Sequence, residues 1–353
     1  LLVSGSFVKS AARLLAVATA LVFFTGCRSM PAAPRPIEQT RTFQSATIDP
    51  EPHVFSFTVH APTFALDFSS PRSLGRSMLP GEAGEFLNSK FEKRTGRTRG
   101  IQIVGHCMIE LKSVDSKTGQ VRYLLTSVTN ADRNEIADRF FKDQAGYEIA
   151  FSGIKGKIPT AEDVGQDLDE AAEIGIKAAR ARIVISEATA NRMFDFFEEF
   201  QRRRIFEKFI VASSPLDERG ICCSSLVASF LEAGGLLEPE WKEDWQRRLL
   251  VPSSLIGDPN TGTKVPPMRL LIGPQTRRWA KENEPNQPLA FYDTTKMYDW
   301  ILSRHQTPSE QLPPGYTAHG IVEKQIEAHM AMPVVTIDMR NRPVPTGPIY
   351  PVR

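Results

Sequence analysis

The stretch Ile101-Gln102-Ile103-Val104-Gly105-His106-Cys107-Met108-Ile109-Glu110-Leu111 most narrows what this chain can fold into. It reads as a strand, and Asp115-Ser116-Lys117-Thr118-Gly119 follows it as a turn. Gln120 to Thr129 then reads as the return strand, so the two make a hairpin. Val54 to Leu66 alternates apolar and polar residues, as one or two strands do, and Ala181 to Ser186 is a further short strand. Glu187 to Phe209 is helical in pattern. Its Met193, Phe194, Phe197, Phe200, Ile205 and Phe209 recur mostly at spacings of three to four, which marks a core-facing stripe. Cys222 to Gly235 predicts another helix, with Leu226, Val227, Phe230 and Leu231 on one side and Gly234-Gly235 as its stop. A short helix is expected near Ala83–Glu92, while Asn134 to Gly153 is ambiguous. Together these elements make an α+β chain. From Glu238 the composition turns to Pro, Asn, Arg and Trp, and residues 257–353 read as an irregular C-terminal extension.

The other end carries an address. Lys9 and Arg13 precede an apolar run from Leu14 to Phe24, which ends in Thr25-Gly26-Cys27. Such a run rises only about 16 Å as a helix against about 30 Å of hydrocarbon, so it reads as a secretory signal and not a span. Gly26-Cys27 resembles a bacterial lipobox, with Phe24 where Leu is usual. That resemblance implies cleavage before Cys27, its lipidation, and anchoring to a membrane. Arg28 stands where an inner-membrane retention signal would have Asp, which points to the outer membrane and the periplasm. Residues 28–50, with Pro31, Pro34 and Pro36, read as a linker. Net charge is +2 with no basic block, so no nucleic-acid partner is expected, and Arg202-Arg203-Arg204 reads as a solvated face. Four cysteines in an exported chain do not make a disulfide scaffold. A thiol kept in that compartment suggests chemistry.

Gly220-Ile221-Cys222-Cys223-Ser224-Ser225-Leu226-Val227 delivers a Cys to the first turn of a helix. The unpaired N–H groups there favour thiolate over thiol and can also hold an oxyanion. The base must come from elsewhere. Of six histidines only His106 lies within a strongly apolar strand, where an ionisable ring is costly to bury without a partner.

Cys223-Ser224-Ser225-Leu226-Val227 is similar to the Cys-Ser-x-Leu-Val start of the catalytic helix in NlpC-type peptidases. Gly105-His106 precedes the Cys, an order that resembles the circularly permuted branch of these papain-like amidases, which includes lecithin:retinol acyltransferase-like proteins. Val251-Pro252-Ser253-Ser254-Leu255 resembles the Thr-Pro-x-x-Leu segment that often closes the domain. The resemblance covers about residues 98–256, within a hydrolase domain of 51–256. It implies a papain-like antiparallel sheet packed on helices, with Cys223 as nucleophile, His106 as base, and neither cofactor nor metal. Its substrate would be a peptidoglycan peptide amide or a lipid-derived ester.

The resemblance also implies a polar residue that orients the imidazole. A turn near residues 117–118 puts Thr129 or Asn130 opposite His106, with Thr126 or Ser127 reached by a slip. Cys222 remains an alternative nucleophile, and Cys107 reads as a small core residue on the strand's other face. Two further readings stand beside this one. One is a zinc site from His106, Cys107, Cys222 and Cys223; the other is an inactive, lipid-anchored binding or structural protein on the same fold.

Overall fold

The computed structural model describes residues 51–62, 66–77, 105–132, 135–136, 138–173, 176–258, 260–322 and 331–350. Cys27, the linker 28–50 and the helix expected near Ala83–Glu92 lie outside the described residues. In chain order the elements begin with β1 (Val54–His60), α1 (Pro71–Ser77), β2 (His106–Val114), β3 (Val121–Thr126) and β4 (Thr129–Asn130). Next come α2 (Glu148–Ser152), β5 (Ile154–Lys157), α3 (Ala161–Glu173), β6 (Ala178–Val184), α4 (Glu187–Arg202) and β7 (Lys208–Phe209). The chain then forms α5 (Cys223–Ala233), α6 (Pro239–Trp245), β8 (Gln246–Pro252) and α7 (Pro267–Ile272). It continues with β9 (Asn286–Tyr292), α8 (Thr294–Gln306), β10 (Tyr316–Val322) and β11 (Ala331–Asp338).

Local chemistry explains several boundaries. The expected hairpin is β2–β3, with Ile109 opposite Thr126 and Val114 opposite Val121. Its turn is built by Asp115, whose Oδ1 accepts from the backbone N–H groups of Lys117 (2.9 Å) and Thr118 (2.7 Å), while Gly119 takes a φ of 70°. Ser186 caps α4 by accepting from the Thr189 N–H at 3.1 Å. That helix ends seven residues before the expected Phe209. Arg204 adopts a left-handed φ of 59°, and Lys208–Phe209 pairs with β5 instead. The apolar spacing of Ile205 and Phe209 imitates a helix that the backbone has already left.

The main sheet has six strands in the order β10-β11-β6-β1-β2-β3. All neighbours are antiparallel except β11 and β6, which run parallel, so the sheet is mixed and not the purely antiparallel one expected. β1 lies near the middle and is buried along its whole length. Strand alternation divides its side chains between two environments. Phe55, Phe57 and Val59 face the helices, beside Leu111, Ile109 and Cys107 of β2. Against them pack Phe196, Phe197 and Phe200 of α4, Leu226, Val227 and Phe230 of α5, and Trp245 and Trp300. Phe230 stacks on Phe55 at 5.6 Å and meets Phe196 edge-on at 4.9 Å.

The opposite face is polar and is made tolerable by pairing. Arg180 donates to Thr58 Oγ1 at 3.0 Å and to Glu110 Oε2 at 3.2 Å, and Tyr123 donates to Glu110 Oε1 at 3.0 Å. Farther along that face, Val164 of α3 packs on Met108 and Leu125.

The C-terminal segment departs most from the sequence reading. Residues 257–353, expected as an irregular extension, include β9, which pairs with β8, and two strands of the main sheet. Met297, Trp300 and Ile301 of α8 join the core, as do Val335, Ile337 and Tyr350. Short apolar runs between prolines do not announce strands whose partners lie more than a hundred residues away. A chain ended at Glu284 should therefore lose cooperative unfolding, as followed by circular dichroism during heating. A transition as sharp as that of the longer chain would contradict this placement of the core.

Candidate functional site

The first turn of α5 is held by hydroxyls. Gly220 brings the chain against β7 at a φ of 149°, and a Cβ there would lie 2.5 Å from the Lys208 carbonyl oxygen. The Ile221 N–H donates to that same oxygen at 2.9 Å. Cys222 then takes the N-cap position in extended conformation, and its carbonyl accepts from the Leu226 N–H at 2.9 Å. Ser224 Oγ donates to the Tyr292 carbonyl at 2.6 Å, and Ser225 Oγ to the Ser213 carbonyl at 2.9 Å. The two serines thus fasten the helix tip to the end of β9 on one side and to the preceding loop on the other.

His106 opens β2 and is half-buried. Gly105 before it has no room for a side chain, since a Cβ would stand 2.3 Å from Thr294 Oγ1 and 2.7 Å from the His60 carbonyl oxygen. Ser127 sits beside the ring. Its Oγ donates to the Cys107 carbonyl at 2.7 Å and lies 2.9 Å from His106 Nε2. A hydroxyl has one proton. A carbonyl can only accept, so that proton goes to Cys107. The bond to the ring must therefore run the other way, with Nε2–H donating to Ser127. In neutral His106 the proton sits on Nε2, and Nδ1 carries the lone pair that can take a proton from a thiol.

The thiol available is that of Cys223. Alternation assigns His106 and Cys107 to opposite faces of β2, yet the charge of Cys223 at the helix tip acts on both. Hydrogen bonding from the Cys107 thiol, with the charge and hydrogen bond of His106 and the Cys107 backbone N–H, overrides burial and draws the Cys223 thiol well below its ordinary pKa. Burial pulls the His106 imidazole down, but the Cys223 charge and hydrogen bond, with the Asp167 carboxylate, raise it above its ordinary value. Opposite shifts in adjacent groups favour a thiolate–imidazolium pair. Burial, and then the Cys223 thiolate, push Cys107 well up, so Cys107 keeps its proton.

Cys222 is surrounded by hydroxyls. Its sulfur lies 3.3 Å from Ser225 Oγ and 3.4 Å from Ser224 Oγ, and burial and the charge of Cys223 push its pKa up. The residues named for orienting His106 separate cleanly. Thr129 and Asn130 belong to β4 and pair with Lys157 and Gly156. The hairpin register does aim residue 129 at His106, but β3 ends at Thr126 and the chain leaves the sheet. Thr126 is fully buried opposite Ile109, and Ser127, the next residue, reaches the ring. Among the described residues, no three His, Cys, Asp or Glu side chains gather as a metal site would require.

Three participants escaped the sequence reading. Asp167 comes from α3, whose start is marked by reciprocal bonds between Thr160 and Asp163, a Thr-x-x-Asp signal visible in the sequence. Thr294 beside Gly105 and the main-chain oxygen of Tyr292 come from the segment taken as an extension. No family model, curated protein or solved structure matches this chain.

The hydrogen-bond accounting at Ser127 can be checked directly. In a Cys223→Ala variant, nitrogen NMR of labelled histidine above the imidazole pKa should find His106 protonated at Nε2. Adding Ser127→Ala should let the two tautomers mix. A proton on Nδ1 in the first variant would refute the assignment.

Proposed function

We propose that this chain is a lipid-anchored thiol hydrolase of the cell envelope, which cleaves an amide or ester bond with Cys223 as nucleophile and His106 as acid–base. One observation carries the reading. Cys223 heads α5 and His106 opens β2, and the charge of each favours the charged form of the other. A nucleophile prepared in this way reacts without waiting for a base to be found.

The chemistry runs in two halves. The Cys223 thiolate attacks the substrate carbonyl carbon, and the oxygen takes up the electron pair of the broken π bond. Backbone N–H groups in the first turn of α5 can serve as donors to that oxyanion. The imidazolium gives its Nδ1 proton to the leaving amine or alcohol as the carbon–heteroatom bond breaks, leaving a thioester on Cys223. Water then gives a proton to Nδ1 and attacks the thioester. Expulsion of the thiolate restores the starting pair. Ser127 keeps Nε2 engaged throughout, so the ring does not turn away between the halves.

The α+β architecture, with the His-bearing strand before the Cys-bearing helix, supports a permuted papain-like arrangement. The Leu14–Cys27 pattern supports export and a lipid anchor, and so an envelope substrate: a peptidoglycan peptide or an acyl chain of a lipid. No described helix is long and apolar enough to cross a membrane.

Turnover should be assayed on peptidoglycan fragments and on acyl esters. Cys223→Ala should abolish it, and His106→Ala should lower kcat/KM by about 10²–10⁴-fold. Cys222→Ser should retain most of it. Turnover that survives Cys223→Ala would refute the mechanism. Separately, Cys27→Ala should move the protein from the membrane fraction to the soluble fraction of the producing cells. An unchanged distribution would remove the lipid anchor from the proposal.

A further inference from the structure

Helix α7 carries a surface that the chemistry above does not use. We propose that it docks on an anionic phospholipid surface, with Met268 and Ile272 entering the headgroup layer and Lys264, Arg269 and Arg277 meeting lipid phosphates. This rests on the reading of Cys27 as a lipid anchor and goes beyond it.

The apolar half of the surface is built. Among the described residues three large apolar side chains stand exposed. Two of them, Met268 at 37% and Ile272 at 62%, lie four residues apart on α7 and so on one face. Leu270, between them in sequence, is buried and packs with Val265 and Leu255, against which Phe140 and Tyr147 also lie. The helix is seated by one side chain while it holds two others out. Arg72 of α1 pins the outer end. Its guanidinium donates to the Ile272 carbonyl at 3.1 Å and to the Gly273 carbonyl at 2.9 Å, and Thr276 Oγ1 donates to the Gly273 carbonyl at 2.6 Å. A single exposed apolar side chain is ordinary, but a pair on the outside of a pinned turn forms a patch suited to contact.

Charge selects the occupant. Residues 259–281 hold five basic residues, Lys264, Arg269, Arg277, Arg278 and Lys281, and no acidic one, in a chain whose net charge is only +2. All five are exposed, and Arg278 is paired with Glu284. A second copy packed about a two-fold axis would set these cations against themselves. An anionic bilayer meets both halves of the surface, with phosphates for the cations and the acyl boundary for Met268 and Ile272. A lipid on Cys27 keeps that bilayer within reach, so a patch of this modest size suffices.

The test is hydrogen–deuterium exchange of peptides within 264–281, on the chain purified from producing cells and reconstituted on vesicles. Phosphatidylcholine vesicles that contain phosphatidylglycerol are compared with phosphatidylcholine alone. On the anionic vesicles exchange should slow by roughly fivefold or more, the factor that about one cation at a lipid surface supplies. Added salt should reverse the slowing. Ile272→Asp alone, and Arg269→Glu with Arg277→Glu, should each remove it. All three positions are exposed, and thermal melting confirms that the variants fold. Equal exchange on both vesicles, or slowing that survives these substitutions, would overturn the docking. Slowing that grows with protein concentration in the absence of lipid would overturn it too, because a second copy would then be the occupant. Flotation with the neutral vesicles reads the anchor separately. It should persist in the patch variants and fail in Cys27→Ala, so failure of the anchor and failure of the docking are different results.

Discussion

Ionisation of the Cys223 sulfur at the tip of α5 is the condition on which the proposed chemistry depends. Burial opposes it, since a thiolate in an apolar core is poorly solvated. Two things act against that cost: the positive imidazole of His106 and the orientation of the helix's first N–H groups. Each comes from a different part of the fold. The strand supplies the first, and the helix supplies the second with the sulfur itself. The packing of α5 on β2 is therefore an electrostatic requirement as well as a hydrophobic one.

Small polar residues around this centre act by having few choices. Ser127 has one proton and two neighbours, and because one neighbour can only accept, the imidazole tautomer follows. Ser224 and Ser225 are spent on main-chain oxygens, which leaves Cys223 as the free side chain of the turn. Cys222, one residue earlier, is enclosed by hydroxyls and kept protonated. Adjacent cysteines of identical chemistry are thus driven apart by their surroundings.

The C-terminal third closes the structure. β11 lies beside β6, and α8 adds Trp300 to the aromatic cluster around Trp245. Its first residue, Thr294, stands against Gly105, and the strand before it receives Ser224. The strand that carries His106 and the helix that carries Cys223 are both braced at the β9–α8 corner. The segment that looked least regular in composition is in contact with both.

The sequence by itself determined the local pieces. Alternation and a turn led by Asp115 marked the β2–β3 hairpin, an aromatic stripe marked α4, and Gly220 with Gly234-Gly235 framed α5. Such signals depend on neighbours three or four residues away, and they were legible for that reason. They also singled out Cys223 and His106 as candidates. Tertiary structure alone decided that Ser127 and not Thr129 meets the ring, because strand β3 stops at Thr126 and no local pattern records where pairing ends. It alone brought Asp167 near His106 and drew residues of β9, α8 and β11 into the core. Those contacts join positions tens to hundreds of residues apart, where neither periodicity nor spacing carries information about which surfaces will meet.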